Sequence, residues 1–210
     1  MRPQRSSIHP WRKPVPMPNN RIPINNQRSM GTPSLGQAPS NPTPKRLAIA
    51  LGDPAGIGAE VTLKAIAQGQ WGESLPLLVG CRRWLEASYQ SLKGRSATAL
   101  TDPAGLEMVD QPLSEAVKPG QSNAACGDAS FQWLTAAVEL VQAGRCHSLV
   151  TAPIAKSSWH AASHRYPGQT ERLAELTGSR NASMLFTAKT PHGSWRLNTL
   201  LATSHIPLSA

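Results

Sequence analysis

The apolar run Arg46-Leu47-Ala48-Ile49-Ala50-Leu51 leads without a break into Gly52-Asp53-Pro54-Ala55-Gly56-Ile57-Gly58-Ala59-Glu60. A run that short suits a buried strand better than a helix. A helix is predicted next, with Ile57, Val61 and Ala65 four apart, Ile66 beside them, and Gly69 as its end. Strand, glycine loop and helix together predict an α/β fold with the loop at the carboxyl edge of the sheet, where ligands bind. The loop is no P-loop, since no Gly-Lys-Ser/Thr follows, and it does not match G-x-G-x-x-G. As a phosphate signal it is generic, and a tight strand-to-helix turn explains it equally.

The same alternation continues along the chain. Leu75 to Gly80 reads as a strand, and Arg82 to Leu92 as a helix with Trp84, Leu85, Ser88 and Leu92 inward. Leu106 to Val109 is a short strand between loops at Thr101-Asp102-Pro103 and Lys118-Pro119-Gly120. Gly127 to Gly144 carries Ala129, Trp133, Ala136, Ala137, Leu140 and Val141 at helical spacing. Ser148-Leu149-Val150-Thr151 reads as a buried strand, and Ala182–Phe186 and Trp195–Thr203 as hairpin partners around Thr190-Pro191-His192-Gly193.

Residues 1–44 differ in kind. They hold ten of the nineteen prolines and six basic residues with no acid, and too few apolar residues for a core. They read as a disordered basic, Pro-rich tail: a transit peptide, a basic arm for an acidic partner, or a non-functional extension with Met17 or Met30 as later starts. The prolines count against the amphipathic helix of a transit peptide. The tail holds +6 of the net +9, so residues 45–210 carry only +3. That weakens a nucleic-acid reading, which needs a basic stripe on a folded face. No apolar run is long enough to span a membrane. Cys81, Cys126 and Cys146 form no CxxC pair and suit reduced thiols, most simply as small apolar core residues.

Three places carry candidate chemistry. Lys156, after Thr151-Ala152-Pro153-Ile154-Ala155, falls just past a strand's carboxyl end, where it suits an anion or serves as an exposed first-turn lysine. Tyr166-Pro167-Gly168-Gln169-Thr170-Glu171 feeds a helix with Thr170 as its cap. Leu173, Ala174, Leu176 and Thr177 form its apolar face, and Gly178 its stop. The N-terminus of that helix can hold a phosphate or carboxylate, and a capped surface helix is the plain alternative. His205, in Thr203-Ser204-His205-Ile206-Pro207-Leu208, is either a metal ligand or a hydrogen-bonded structural residue, and one histidine makes no site.

Taken in series, Gly52–Gly58, Thr151–Lys156, Pro167–Glu171 and Thr203–Leu208 resemble the 4-hydroxythreonine-4-phosphate dehydrogenase family of pyridoxal phosphate biosynthesis, over about residues 45–210. The resemblance implies an α/β fold of the isocitrate/isopropylmalate dehydrogenase type, in a cytoplasmic homodimer with a cleft shared between subunits. It implies NAD-dependent oxidation of the secondary hydroxyl of 4-phosphooxy-L-threonine, a small phosphorylated amino acid, then loss of carbon dioxide to give 3-amino-2-oxopropyl phosphate. NAD and a divalent metal cation (Zn, Mg or Co) are the implied cofactors. By the same resemblance Thr170 binds substrate and His205 is the first of three metal-binding histidines. Lys156 matches the family's lysine.

The chain also departs from that pattern. Position 169 is usually a substrate-binding histidine, and Gln169 can donate a hydrogen bond but carries no charge. Ala152 and Ala155 stand where Gly and Asn are common. The family's chain continues about as long again after the His205 strand, so the expectation is an N-terminal part, C-terminal half absent, with one metal ligand per subunit and little or no activity by itself. Two further readings stay open: a relative acting on another phosphorylated or cyclic hydroxy acid, and a non-catalytic binding protein that uses its basic tail.

Overall fold

A computed structural model describes residues 45–69, 71–180 and 182–203. The tail over residues 1–44 and His205 lie outside them. Strands β1 (Lys45–Ala50), β2 (Ser74–Gly80), β3 (Met108–Asp110) and β4 (Ser148–Thr151) form one parallel sheet in the order β3-β2-β1-β4. In register, Lys45–Ala50 face Ser74–Val79, and Leu47–Ala50 face Ser148–Thr151. Ala48, Ile49 and Leu51 and their neighbours Leu77, Leu78 and Val79 are buried, as expected where apolar runs form the inner strands of a covered parallel sheet.

The helices are α1 (Gly58–Ala67), α2 (Arg82–Lys93), α3 (Ala124–Gln142), α4 (Lys156–Ala161) and α5 (Gln169–Leu176). Helix α3 packs across β1, β2 and β4, α1 packs on α2, and α4 packs on α3. The chain steps from β1 to β2 to β3 in one direction, then returns past β1 to lay down β4. The order therefore reverses between β1 and β4. In an open parallel sheet the loops diverge at such a reversal and leave a crevice at the carboxyl ends of the two strands. The Gly52–Gly58 and Ala152–Ala155 loops meet there.

Several expectations shift. Helix α1 is turned round: Ile57 is 57% exposed and Val61 38%, while Gly58, Ala59, Thr62 and Leu63 are buried. The cause is close approach, since a β-carbon on Gly58 would stand 2.0 Å from the Leu51 carbonyl oxygen. That contact turns the small-residue face toward the sheet, whatever the spacing of the larger side chains. Strand β4 is not buried throughout; it lies at a sheet edge, and Val150 is 47% exposed. Helix α3 starts before Gly127, because Asn123 caps it by accepting from the Cys126 N–H at 2.8 Å. On α2, Leu85 and Tyr89 are the buried pair, with Trp84, Ser88 and Leu92 half-buried.

The hairpin forms as β5 (Leu185–Lys189) and β6 (Arg196–Leu200), antiparallel, with Leu185 facing Leu200 and Lys189 facing Arg196. Its strands are displaced from the expected limits, and every residue in them is exposed. The three cysteines are free and buried, and burial pushes the Cys126 and Cys146 thiols up from their ordinary pKa. Among the described residues no helix is long and apolar enough to cross a membrane.

Candidate functional site

The glycine loop is built around Asp53, which is 2% exposed. Gly52, at φ +70°, leaves no room for a side chain, since a β-carbon would stand 2.3 Å from the Pro153 carbonyl oxygen. That approach lets the Asp53 N–H donate to Pro153 O at 2.9 Å and ties the two crevice loops together. The Asp53 carboxylate accepts from the Ala55 N–H (2.7 Å), Ser122 Oγ (2.8 Å) and Ser158 Oγ (3.2 Å). A buried carboxylate needs such donors to remain buried without a cation.

Helix α4 opens with Lys156, which is exposed. Its second turn is fixed on α3: Trp159, fully buried, donates from Nε1 to Ser130 Oγ at 2.8 Å. Gly127 leaves the space, since a β-carbon there would stand 2.0 Å from Ser158 O. The crossing of α3 and α4 is thus as close as backbones allow, and the start of α4 is set rigidly against the crevice.

Helix α5 brings the second half of the site. Its cap is Gly168, not Thr170, and no side chain caps it. Gly168 has extended backbone at φ −176°, and Thr170 sits half-buried inside the first turn. The chain enters the helix two residues earlier than the Thr-cap pattern implies, and with no side-chain cap the first N–H groups of α5 have no internal partner. A β-carbon on Gly168 would lie 3.6 Å from Lys156 Cε, 3.8 Å from Lys156 Nζ and 3.5 Å from Glu171 Oε2. Gln169 Nε2 donates to Ala152 O at 3.4 Å. Lys156, Gln169 and the start of α5 are therefore neighbours, and Glu171 joins them. Glu171 Oε2 is buried with no hydrogen-bond partner among the described residues.

Helix α5 has no fully buried residue, Leu173 and Leu176 being half-buried. Arg172 gives it a polar anchor. Its guanidinium lies 4.4 Å from the Phe131 ring centre and donates to Thr135 Oγ1 (3.1 Å) and Glu175 Oε2 (3.0 Å). Phe131 carries His164 stacked on it at 3.7 Å, and His164 Nε2 bonds Asp128 Oδ1 at 2.9 Å. The Tyr166 hydroxyl donates to the Glu175 carboxylate. That bond, with Arg172 second, holds the Glu175 carboxyl below its ordinary pKa; the same bond, with burial second and against the Arg172 charge, pushes the Tyr166 hydroxyl up. Sequence reasoning missed this cluster. Only the Arg172–Glu175 spacing gave a local sign of it; Phe131, Thr135 and His164 arrive from distant elements. Gly178 ends the helix as expected, at φ +65°.

Among the described residues no group of three or more His, Cys, Asp or Glu could hold a metal ion. They do not form a metal centre by themselves, and His205 lies outside them.

The comparisons agree with this architecture. The family model described as "Pyridoxal phosphate biosynthetic protein PdxA" matches residues 72–210. A 4-hydroxythreonine-4-phosphate dehydrogenase of Synechococcus sp. (strain RCC307) is 63% identical over 166 residues, covering 79% of this chain and 50% of the relative. A D-threonate 4-phosphate dehydrogenase of Pectobacterium atrosepticum is 38% identical, covering 69% of this chain and 48% of the relative. The crystal structure of a 4-hydroxythreonine-4-phosphate dehydrogenase from Burkholderia phymatum superposes with a TM-score of 0.64 at 33% identity, covering 78% of this chain and 51% of that one. The chain spans about half the length of the relatives it matches. Its parallel α/β core has the isocitrate/isopropylmalate dehydrogenase-like fold of those enzymes. On family model, identity and fold together, the chain belongs to the PdxA family of dehydrogenases.

Proposed function

We propose that residues 45–210 are the N-terminal part of an NAD-dependent dehydrogenase that oxidises and decarboxylates 4-phosphooxy-L-threonine to 3-amino-2-oxopropyl phosphate, residues 1–44 being a basic extension outside it. The observation that carries this is the meeting of Lys156 with the open start of α5 at Gly168, beside Gln169 and Thr170. An ammonium, the N–H groups of a helix start with no side-chain cap and a side-chain amide converge beside the β1 and β4 loops at the carboxyl edge of the sheet, which suits a phosphate or carboxylate. In this reading Lys156 supplies charge, Gln169 a neutral donor, and Thr170 a hydroxyl. The oxidation sends hydride to NAD and a proton to solvent, and the resulting 3-oxo acid loses carbon dioxide. NAD, a divalent cation with His205 among its ligands, a cytoplasmic setting and a homodimer all belong to the proposal; the dehydrogenase names of the relatives support a nicotinamide cofactor, and the rest follows from the family resemblance. The described residues do not hold a metal by themselves.

D-Threonate 4-phosphate is the second reading, favoured by the Pectobacterium relative. The test joins residues 45–210 to the remaining half of the Synechococcus sp. (strain RCC307) relative and follows NADH absorbance with each substrate. Oxidation of 4-phosphooxy-L-threonine, lowered about tenfold to a hundredfold in kcat/KM by Lys156→Ala, supports the proposal. Turnover of D-threonate 4-phosphate alone, or of neither substrate, overturns it.

A further inference from the structure

We propose that Asp53 is the positioning residue for Lys156, gripping the chain on both sides of it. This rests on reading Lys156 as an anion-binding residue. Upstream, the Asp53 N–H donates to Pro153 O at 2.9 Å; downstream, Asp53 Oδ2 accepts from Ser158 Oγ at 3.2 Å. One residue of the glycine loop thus brackets the segment that turns out of β4 and delivers the lysine. The remaining acceptor capacity of Asp53 reaches Ala55 N–H and Ser122 Oγ, so the carboxylate also joins the loop before α3.

The chemistry of the bracket favours a positioning role over simple filling. The carboxylate is 2% exposed, and among the described residues it forms no ion pair. Burying an uncompensated carboxylate is costly, and an apolar side chain would fill the space more cheaply. What a carboxylate adds is several directional acceptors at one point, here aimed at three chain segments. Gly52 gives up any side chain so that this point can lie against Pro153. The lysine between the two bonds keeps its own side chain for the start of α5, where Gly168 leaves it room.

The test uses the 210-residue chain with its lysines dimethylated by an isotope-labelled reagent. NMR follows the Lys156 resonance through a pH titration and then through a titration with inorganic phosphate. Variants are Asp53→Asn, Ser158→Ala, their combination, and Ser157→Ala as a control on the exposed neighbour. The expected result is a displaced Lys156 titration in Asp53→Asn and Ser158→Ala, and a phosphate response weakened about tenfold. Lys64 and Lys118 should be unchanged, and the double variant no worse than Asp53→Asn alone. A Lys156 titration equal to wild type in folded Ser158→Ala and Asp53→Asn overturns the proposal. Should Asp53→Asn not fold, Ser158→Ala decides, since it keeps the carboxylate on Ala55 and Ser122. A displaced titration without any phosphate response in the wild type leaves the positioning standing and defeats the anion-site reading. A phosphate response equal in all variants does the reverse.

Discussion

Gly127 and Ser158 lie so close that a β-carbon on the glycine would stand 2.0 Å from the serine's carbonyl oxygen. Inside a helix, Gly→Ala ordinarily gains about 1 kcal/mol. Here the backbone oxygen cannot swing aside, so Gly127→Ala is expected to destabilise by about 1–3 kcal/mol, the cost of overpacking. Gly94→Ala, at a helix end with nothing near its added carbon, should stay within about 0.5 kcal/mol. Urea midpoints of the two variants check the contrast.

Gly168 gives the opposite case. Its extended backbone accepts any residue, and a methyl group there would make only ordinary contact with Lys156 and Glu171. Gly168→Ala should leave stability unchanged while filling the space beside the Lys156 ammonium. The expected readout is weaker phosphate binding by calorimetry at an unaltered melting temperature.

The turned face of α1 predicts an asymmetry that periodicity would reverse. Ile57→Ser should cost no more than about 0.5 kcal/mol, because the side chain already faces solvent. Leu63→Ala, at a fully buried position, should cost about 2–5 kcal/mol. Equal losses from the two would contradict the rotation of the helix.

Arg172 holds α5 by its flat guanidinium over Phe131 and its donors to Thr135 and Glu175. Lysine cannot reproduce that geometry. Arg172→Lys should therefore raise amide exchange across Gln169–Leu176 while β1 and β2 keep their protection.

The Tyr166–Glu175 bond makes the same helix sensitive to pH at both extremes. The Glu175 carboxyl is depressed, so its contribution is present above the ordinary glutamate pKa of about 4.3 and lost as pH falls through the lower folded value. The Tyr166 hydroxyl is raised, so its contribution is present below about pH 10 and lost as pH rises through the higher folded value. Glu175→Gln should remove the acid-side dependence of α5 amide exchange and leave that of the sheet unchanged.

Much of this was legible in the residues. The β1 run, the glycine loop and the α3 stripe declared themselves, because burial of apolar strands and helices follows period and length. The nearness of Lys156 to Gln169 came only through resemblance, since nothing local links positions on two different helices. The face of α1 was misread because periodicity weighs large side chains, whereas the packing was decided by a glycine against a carbonyl. Thr170 was misplaced as a cap for a related reason: the extended Gly168, two residues earlier, takes the cap position without any side-chain bond. The Arg172 cluster was illegible because its parts come from α3, the stretch before α5, and α5 itself.

The Asp53 bracket also sets an order of events during synthesis. Ala55 emerges beside the aspartate, but Ser122 follows 69 residues after it and Ser158 105 residues after it. Until α4 has left the ribosome and returned to β1, the carboxylate must stay in water, because too few donors exist to bury it. Contacts so distant along the chain form late. The crevice at β1 and β4 is thus among the last parts of the domain to close, and a chain stalled before Ser158 would carry a finished β1 with its loop still open.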